Sequence, residues 1–456
     1  MYVLTGAGAD AHKDDSRAGR EAFLPPSRLS RGRGGLGLGV LLAVAASAVV
    51  SAASAVEPVL SAFEIAEPEA VGLSSSALAQ VTEALQAHVD AGDIAGVVAA
   101  VVKDGKLVYH QALGHRDIAQ ADPMPLDALF RVYSMTRPIT SLGVLMLHER
   151  GLLNIDDPVQ KYLPEFADQP VMRDAAGTDA AAVRPRVGDI TLAQLLTHTS
   201  GIGDRNSPAY RQHNVHSYDQ TLSEVVANVA AMPLYEDPGT RYRYGMHAEI
   251  LGRVIEVVSG QDIESFYQQW IFGPLNMTDT VFYVDADRQH RLAPVYRPDA
   301  NGRLQLHQME HIPVTERRAL TSSGVGLVSS TMDFLKFSQL FLNNGQVDGT
   351  ALIAPDTVRM MAENAVPDAL LPLGGASGYW GGSGWSLGGM AVVMDPEPYG
   401  HTVMPGEYWW DGSAGTRFWI DPINNMITIV MAQVSPAHGN GFRENFKTLV
   451  YEALPD

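Results

Sequence analysis

The chain contains no cysteine. That absence excludes a disulfide framework, a cysteine nucleophile and any thiolate-bound metal. Basic residues are also scarce, with 32 Lys and Arg against 51 Asp and Glu, a formal net charge of −19. A nucleic-acid partner requires a basic face that neutralises phosphates, and this composition does not supply one. No internal repeat is visible, and no low-complexity tract beyond the N-terminal segment. What remains is ordinary for a globular protein: hydrophobic residues make up 46% and charged residues 18%. At 456 residues the chain is long enough for a large core and two closely packed subdomains.

The N-terminus carries an address. Arg28, Arg31 and Arg33 precede an apolar run from Leu36 to Val50, which ends in Ser51-Ala52-Ala53-Ser54-Ala55. A positive flank, a short soft apolar core and a small-residue end predict a secretory signal over residues 1–55, cleaved near Ala55–Val56. The alternative is a membrane anchor, which the short Ala/Gly/Ser-rich run disfavours. The expectation is a secreted or periplasmic protein with no stable membrane span after signal removal. The oligomeric state is not legible.

Further along, Leu73–Ala91 has apolar residues at helical spacing between polar boundaries and predicts a surface helix. Gly96–Val102 and Leu107–Ala112 are strand-like runs joined through Asp104-Gly105, a hairpin signal. A long apolar helix starts near Ser134. Residues of about 150–320 are loop-rich and helical. Met390–Met394, Arg417–Ile420 and Met426–Val434 then read as strands, and Asn440–Ala453 as a closing helix. The predicted class is α+β, sandwich-like: an antiparallel sheet built from both ends of the mature chain, flanked by helices, with a mostly helical insertion. The sheet subdomain takes residues of about 60–130 and 320–456, and the helical one about 131–319.

The chemistry centres on Phe130-Arg131-Val132-Tyr133-Ser134-Met135-Thr136-Arg137-Pro138-Ile139-Thr140-Ser141. A serine at the mouth of a helix has an unpaired backbone N–H that can face an oxyanion, and a cation one turn later lies beside its hydroxyl. Alone, a serine followed three residues on by a cation says little, since Ser30 and Arg33 also fit. The surroundings add to it. The segment resembles the nucleophile motif of the β-lactamase and penicillin-binding-protein superfamily. Other stretches resemble the same family in the same order: Asp156–Val159 with Lys161–Pro164, Leu195–Gly201, Pro238–Tyr244 with Leu251–Ile255, Ser323–Leu327 with Asp333, and Trp410–Gly412 leading to Gly415-Thr416. The likeness spans about residues 65–450 and is closest to the family's esterase branch.

The resemblance implies a β-lactamase/transpeptidase-like fold and an acyl-enzyme mechanism without a cofactor or metal. Ser134 would be the nucleophile and Tyr244 the proton carrier; read alone, Tyr244 would be a packed aromatic. The backbone N–H groups of Ser134 and Ser413 would form the oxyanion hole. Trp410, Asp411, Gly412, Tyr133 and Met246 would contact the substrate. Three departures from the family pattern matter. Its lysine is Arg137 here, and a guanidinium stays protonated, so Arg137 can act only through its charge. Met246 replaces the asparagine that binds a lactam side chain. Trp410 stands where drug-binding relatives carry a lysine, giving an apolar wall in place of a cation. These point to an uncharged small-molecule ester as substrate. A D-Ala-type peptidase or amidase, a weak β-lactamase, and a binding protein that has lost catalysis with its lysine stand as alternatives.

Other signals are set aside. Gly384-Trp385-Ser386-Leu387-Gly388 matches a nucleophile elbow but runs into Gly389 and a strand-like segment, so it predicts a turn. His307 and His311 surround Glu310 without the zinc-protease spacing, and His213 and His216 lie in a polar loop. His198 is expected to stabilise a loop. Tyr408 and Trp409 either line the acyl pocket or cover the sheet edge.

Overall fold

The computed structural model describes residues 63–455 apart from 175–178, 309–311, 374–378, 380 and 438. The expected signal segment therefore lies outside the described residues, as do Glu310 and His311.

A nine-stranded sheet forms the backbone of the fold. Its strands are β1 (Glu64–Ile65), β2 (Gly96–Lys103), β3 (Lys106–Asp117), β4 (Asp122–Pro123), β5 (Ser383–Trp385), β6 (Ala391–Val393), β7 (Tyr408–Asp411), β8 (Arg417–Asp421) and β9 (Met426–Ala432), in the order β1-β3-β2-β9-β8-β7-β6-β5 with β4 on β3. Both ends of the described chain contribute, and the neighbours are antiparallel. One pairing departs from the expected antiparallel pattern: the two-residue edge strand β1 runs parallel to β3. The β2–β3 hairpin turns at Asp104 and Gly105, both at positive φ (53° and 74°), which is the combination a two-residue primed turn demands.

The central strands β2 and β9 are buried nearly throughout, which explains their continuous apolar runs: both faces are covered. The alternation on β8 shows by what. Trp419 faces Phe446 on the C-terminal helix Phe442–Glu452, whereas Phe418 faces Phe334 on the helix Thr331–Leu342. Trp410 on β7 lies opposite Phe418, and Trp409 opposite Trp419. Directly opposed residues share a face, so Trp410 points to the Phe334 side and Trp409 to the C-terminal helix.

Between β4 and β5 the chain builds the helical part. Its antiparallel pair Leu129–Arg131 and Val328–Ser330 brings the entry and exit of that region together. The central helix, α1 (Thr136–Glu149), is buried from Thr136 to Leu147. Pro138 can be housed only in a first turn, where its missing N–H costs nothing. That fixes where α1 begins and leaves Ser134 just ahead of it. Gly151, at φ 68°, follows its C-terminus in the left-handed conformation. A second helix, α2 (His247–Ser259), packs against α1 and starts three residues after Tyr244.

Candidate active site

Ser134 is the middle residue of a single 3-10 turn, Tyr133–Met135, that leads into α1. Tyr133 sits at φ 45°, rare for a residue with a Cβ and costing about 1–3 kcal/mol. Two contacts hold the turn in that conformation: the Val132 N–H donates to the Leu327 carbonyl at 3.0 Å, and the Met135 N–H to Val132 at 2.9 Å. The half-buried Ser134 side chain interacts with the phenol of Tyr244, as does the indole of Trp410.

Arg137 takes an unexpected position. Its guanidinium lies over the Tyr244 ring, 4.2 Å from the centroid, and donates from Nη1 to the Gly245 carbonyl at 2.9 Å. Arg137 is 6% exposed, and its Nε has no partner among the described residues. This is a cation–π stack on the phenol, strengthened by burial. Burial pushes the Tyr244 phenol above its usual value, while the Arg137 charge and then the Ser134 hydroxyl pull it back.

The Tyr244 segment reaches this place through close backbone contact. The Met246 N–H donates to the Gly203 carbonyl at 3.0 Å, and a Cβ at Gly245 would fall 2.6 Å from that same oxygen. Only glycine fits. Behind Tyr244 stands His198, at φ 57°, with ring centroids 4.6 Å apart. Its Nδ1 shares a hydrogen bond of 2.7 Å with Nδ1 of His247, and both rings are fully enclosed. Burial holds His198 well below the ordinary imidazole range and His247 down to about 3; the Arg137 charge adds to both. The loop-stabilising role expected of His198 therefore has a second side: it forms the floor under the phenol.

On the opposite wall, Trp410 is edge-on to Trp385 at 4.5 Å and tilted against Tyr244 at 5.5 Å. Gly412 follows, and a Cβ there would lie 2.6 Å from the Val132 carbonyl oxygen. Its absence lets the end of β7 press against the turn that carries Ser134. Ser413 is exposed directly beyond, on the same short stretch of backbone that abuts Val132.

The beta-lactamase family matches this chain over residues 81–451. The chain is a member of the beta-lactamase family. A Mycobacterium tuberculosis protein, Rv1367c, is 33% identical over 356 residues, covering 76% of this chain and 88% of that relative. Esterase EstB of Burkholderia gladioli is 28% identical over 385 residues, 78% of this chain and 90% of the esterase. Among solved structures, EstCE1, described as a hydrolase with promiscuous acyltransferase activity, superposes with a TM-score of 0.71 at 23% identity, covering 82% of this chain and 98% of that one. With this family and these relatives, the chain is a serine hydrolase.

Within this family member, Ser134, Arg137, Tyr244 and Trp410 come together as one cluster. Two of the expected substrate contacts do not reach it. Asp411 follows Trp410 on a strand, so alternation turns its side chain to the other face, where its Oδ2 accepts from Nη1 of Arg443 at 2.8 Å. Met246 is 3% exposed and packs into the core at the start of α2. Tyr133 is buried beside Val295, Ile312 and Ala414. Ser386 lies at the turn between β5 and β6, where its N–H donates to the Met390 carbonyl at 2.9 Å, and it is fully buried. Trp409 faces Arg417, whose guanidinium lies 3.8 Å from its ring, and so covers the sheet and not the pocket.

Three residues of the cluster escaped sequence reading. His247 and Trp385 carry no motif that points to Tyr244. Tyr242 was legible in principle: it precedes Tyr244 by two in an extended segment, and its charge environment is set by Tyr244 and Arg137.

Proposed function

We propose that this serine hydrolase is a carboxylesterase that acts on small esters through an acyl-enzyme on Ser134. The carrying observation is the Ser134–Tyr244 interaction under the Arg137 guanidinium. Ser134 Oγ attacks the ester carbonyl as its proton passes to the Tyr244 oxygen in the ionised form that the Arg137 charge favours. The Ser134 N–H at the helix mouth and the Ser413 N–H beyond Gly412 supply the oxyanion hole. The phenol then returns the proton to the departing alkoxide, and water cleaves the acyl-enzyme by the same route in reverse. The Trp410 and Trp385 indoles give this site an apolar wall, which suits an apolar group of the ester and offers no cation to a β-lactam carboxylate. The name of the Burkholderia relative, an esterase, agrees.

The test is hydrolysis of p-nitrophenyl butyrate. The parent should turn it over and Ser134→Ala should not; faster cleavage of D-aminoacyl amides would favour the peptidase reading instead. A second reading has one specific support: Arg137 is engaged by Gly245 and the Tyr244 ring face, so it offers no base. Under that reading the parent is inert and Arg137→Lys gains activity. Secretion to the periplasm or beyond, from the 1–55 signal, completes the proposal.

A further inference from the structure

A cavity of about 560 Å³ opens beside the Arg205 loop, and its lining differs from the indole wall. Arg205, Arg211, His216, Tyr218, Asp219 and Arg318 line it. Tyr218 packs against the cluster that contains Tyr133 and Ala414, the neighbours of Ser134 and Ser413. The Gly203–Met246 hydrogen bond anchors the start of the Arg205 loop beside the tyrosine segment. The cavity is therefore continuous in packing with both halves of the active site.

Its charge stands out in a chain of −19. Among the described residues, neither Arg205 nor Arg211 has an acidic partner. The charge of Arg205 reaches Tyr133, His216 and Tyr218 together. Behind it, the Tyr133 hydroxyl and His216 Nε2 are buried without hydrogen-bond partners among the described residues. Tyr133 is 3% exposed. Leaving such a group unsatisfied is unfavourable, and a ligand oxygen beside His216 would remove that cost. The acids nearby are already engaged. Asp219 pairs with Arg318 at 3.1 Å, and Asp204 accepts from the Asn206 N–H at 2.8 Å. Glu249 takes the Ser322 hydroxyl and both the N–H and hydroxyl of Ser323.

We propose that this cavity receives a carboxylate carried by the ester substrate, seated on Arg205 with His216 as a further donor. The apolar wall and this cationic chamber would then read two ends of one molecule: an apolar group at the indoles and an anionic group at the arginines. The natural substrates are accordingly monoanionic esters, with the carboxylate on either the acyl or the alcohol portion. The inference rests on the esterase reading above for turnover, but not for binding.

Two matched pairs of esters test it. Mono-4-nitrophenyl glutarate against 4-nitrophenyl butyrate probes an acyl-side carboxylate, and 4-carboxyphenyl butyrate against phenyl butyrate probes the alcohol side. Rates are normalised to alkaline hydrolysis. The parent should prefer the anionic member of one pair by about tenfold in kcat/KM, the scale of one charge-assisted hydrogen bond. Arg205→Gln should bring that ratio close to one through KM, and Arg205→Lys should keep part of it. No preference in either pair, or a preference that survives Arg205→Gln, overturns the proposal. If no ester is cleaved at all, the esterase reading falls by itself. Calorimetry with monomethyl glutarate and benzoate then decides the cavity: binding that Arg205→Gln abolishes upholds the site, whereas absent or unaltered binding refutes it.

Discussion

Arg137 differs from a lysine in the one property that matters at this position, its permanent charge. A lysine there can give up a proton; a guanidinium can only bias the ionisation of the phenol it covers. Burial raises the Tyr244 phenol, and Arg137 opposes that rise. Because the proposed base, Tyr244, must be deprotonated to work, kcat/KM for an ester should climb on the alkaline side. Arg137→Gln removes the opposing charge, raises the phenol further and should move that limb to higher pH, while Arg137→Lys should move it less. A pH–rate profile that is identical in parent and Arg137→Gln would show that the stack has no electrostatic role. Tyr244→Phe should lower kcat by about 10²–10⁴-fold, the usual contribution of a positioned proton carrier.

Asp411 and Gly412 show how an element decides what a motif alone cannot. The sequence placed Trp410, Asp411 and Gly412 together as a substrate-contacting triplet, yet strand alternation sends the middle side chain to the opposite face and into a buried pair with Arg443. Period two was readable once β7 was recognised as a strand, but its partner on the C-terminal helix lies 32 residues on and left no local signal. Arg443→Gln strands a buried carboxylate and should cost about 3–5 kcal/mol in urea unfolding, with Asp411→Asn in the same chain restoring much of it. Full stability in Arg443→Gln alone would contradict the pairing. The hairpin at Asp104-Gly105, the strands β6, β8 and β9, and a long helix starting near Ser134 were also legible in the sequence. It could not reveal the His198–His247 floor, because two histidines 49 residues apart meet only after α1 and α2 have packed.

The whole molecule carries that buried histidine pair as an acid sensitivity. Burial holds both imidazoles neutral in the fold, with His247 lowered to about 3 from the ordinary imidazole value of about 6.5. The unfolded chain therefore binds more protons than the native state once pH falls below about 6.5. Stability should be full above that pH and decline progressively as pH drops towards 3. His247→Gln should flatten the decline in a series of thermal melts, and an unchanged slope would place the acid sensitivity elsewhere. His198 of that pair lies against Tyr244, so molecular stability and the geometry of the phenol are tied together.

The proposed acyl-enzyme depends on a single oxygen atom, Oγ of Ser134. Incubation with a fluorophosphonate or a slowly hydrolysed p-nitrophenyl ester, followed by peptide mass spectrometry, locates the covalent adduct. One added group is expected on Ser134, absent in Ser134→Ala and unaffected by Ser386→Ala. An adduct on Ser386, or none at Ser134 under conditions where the ester is cleaved, would contradict it.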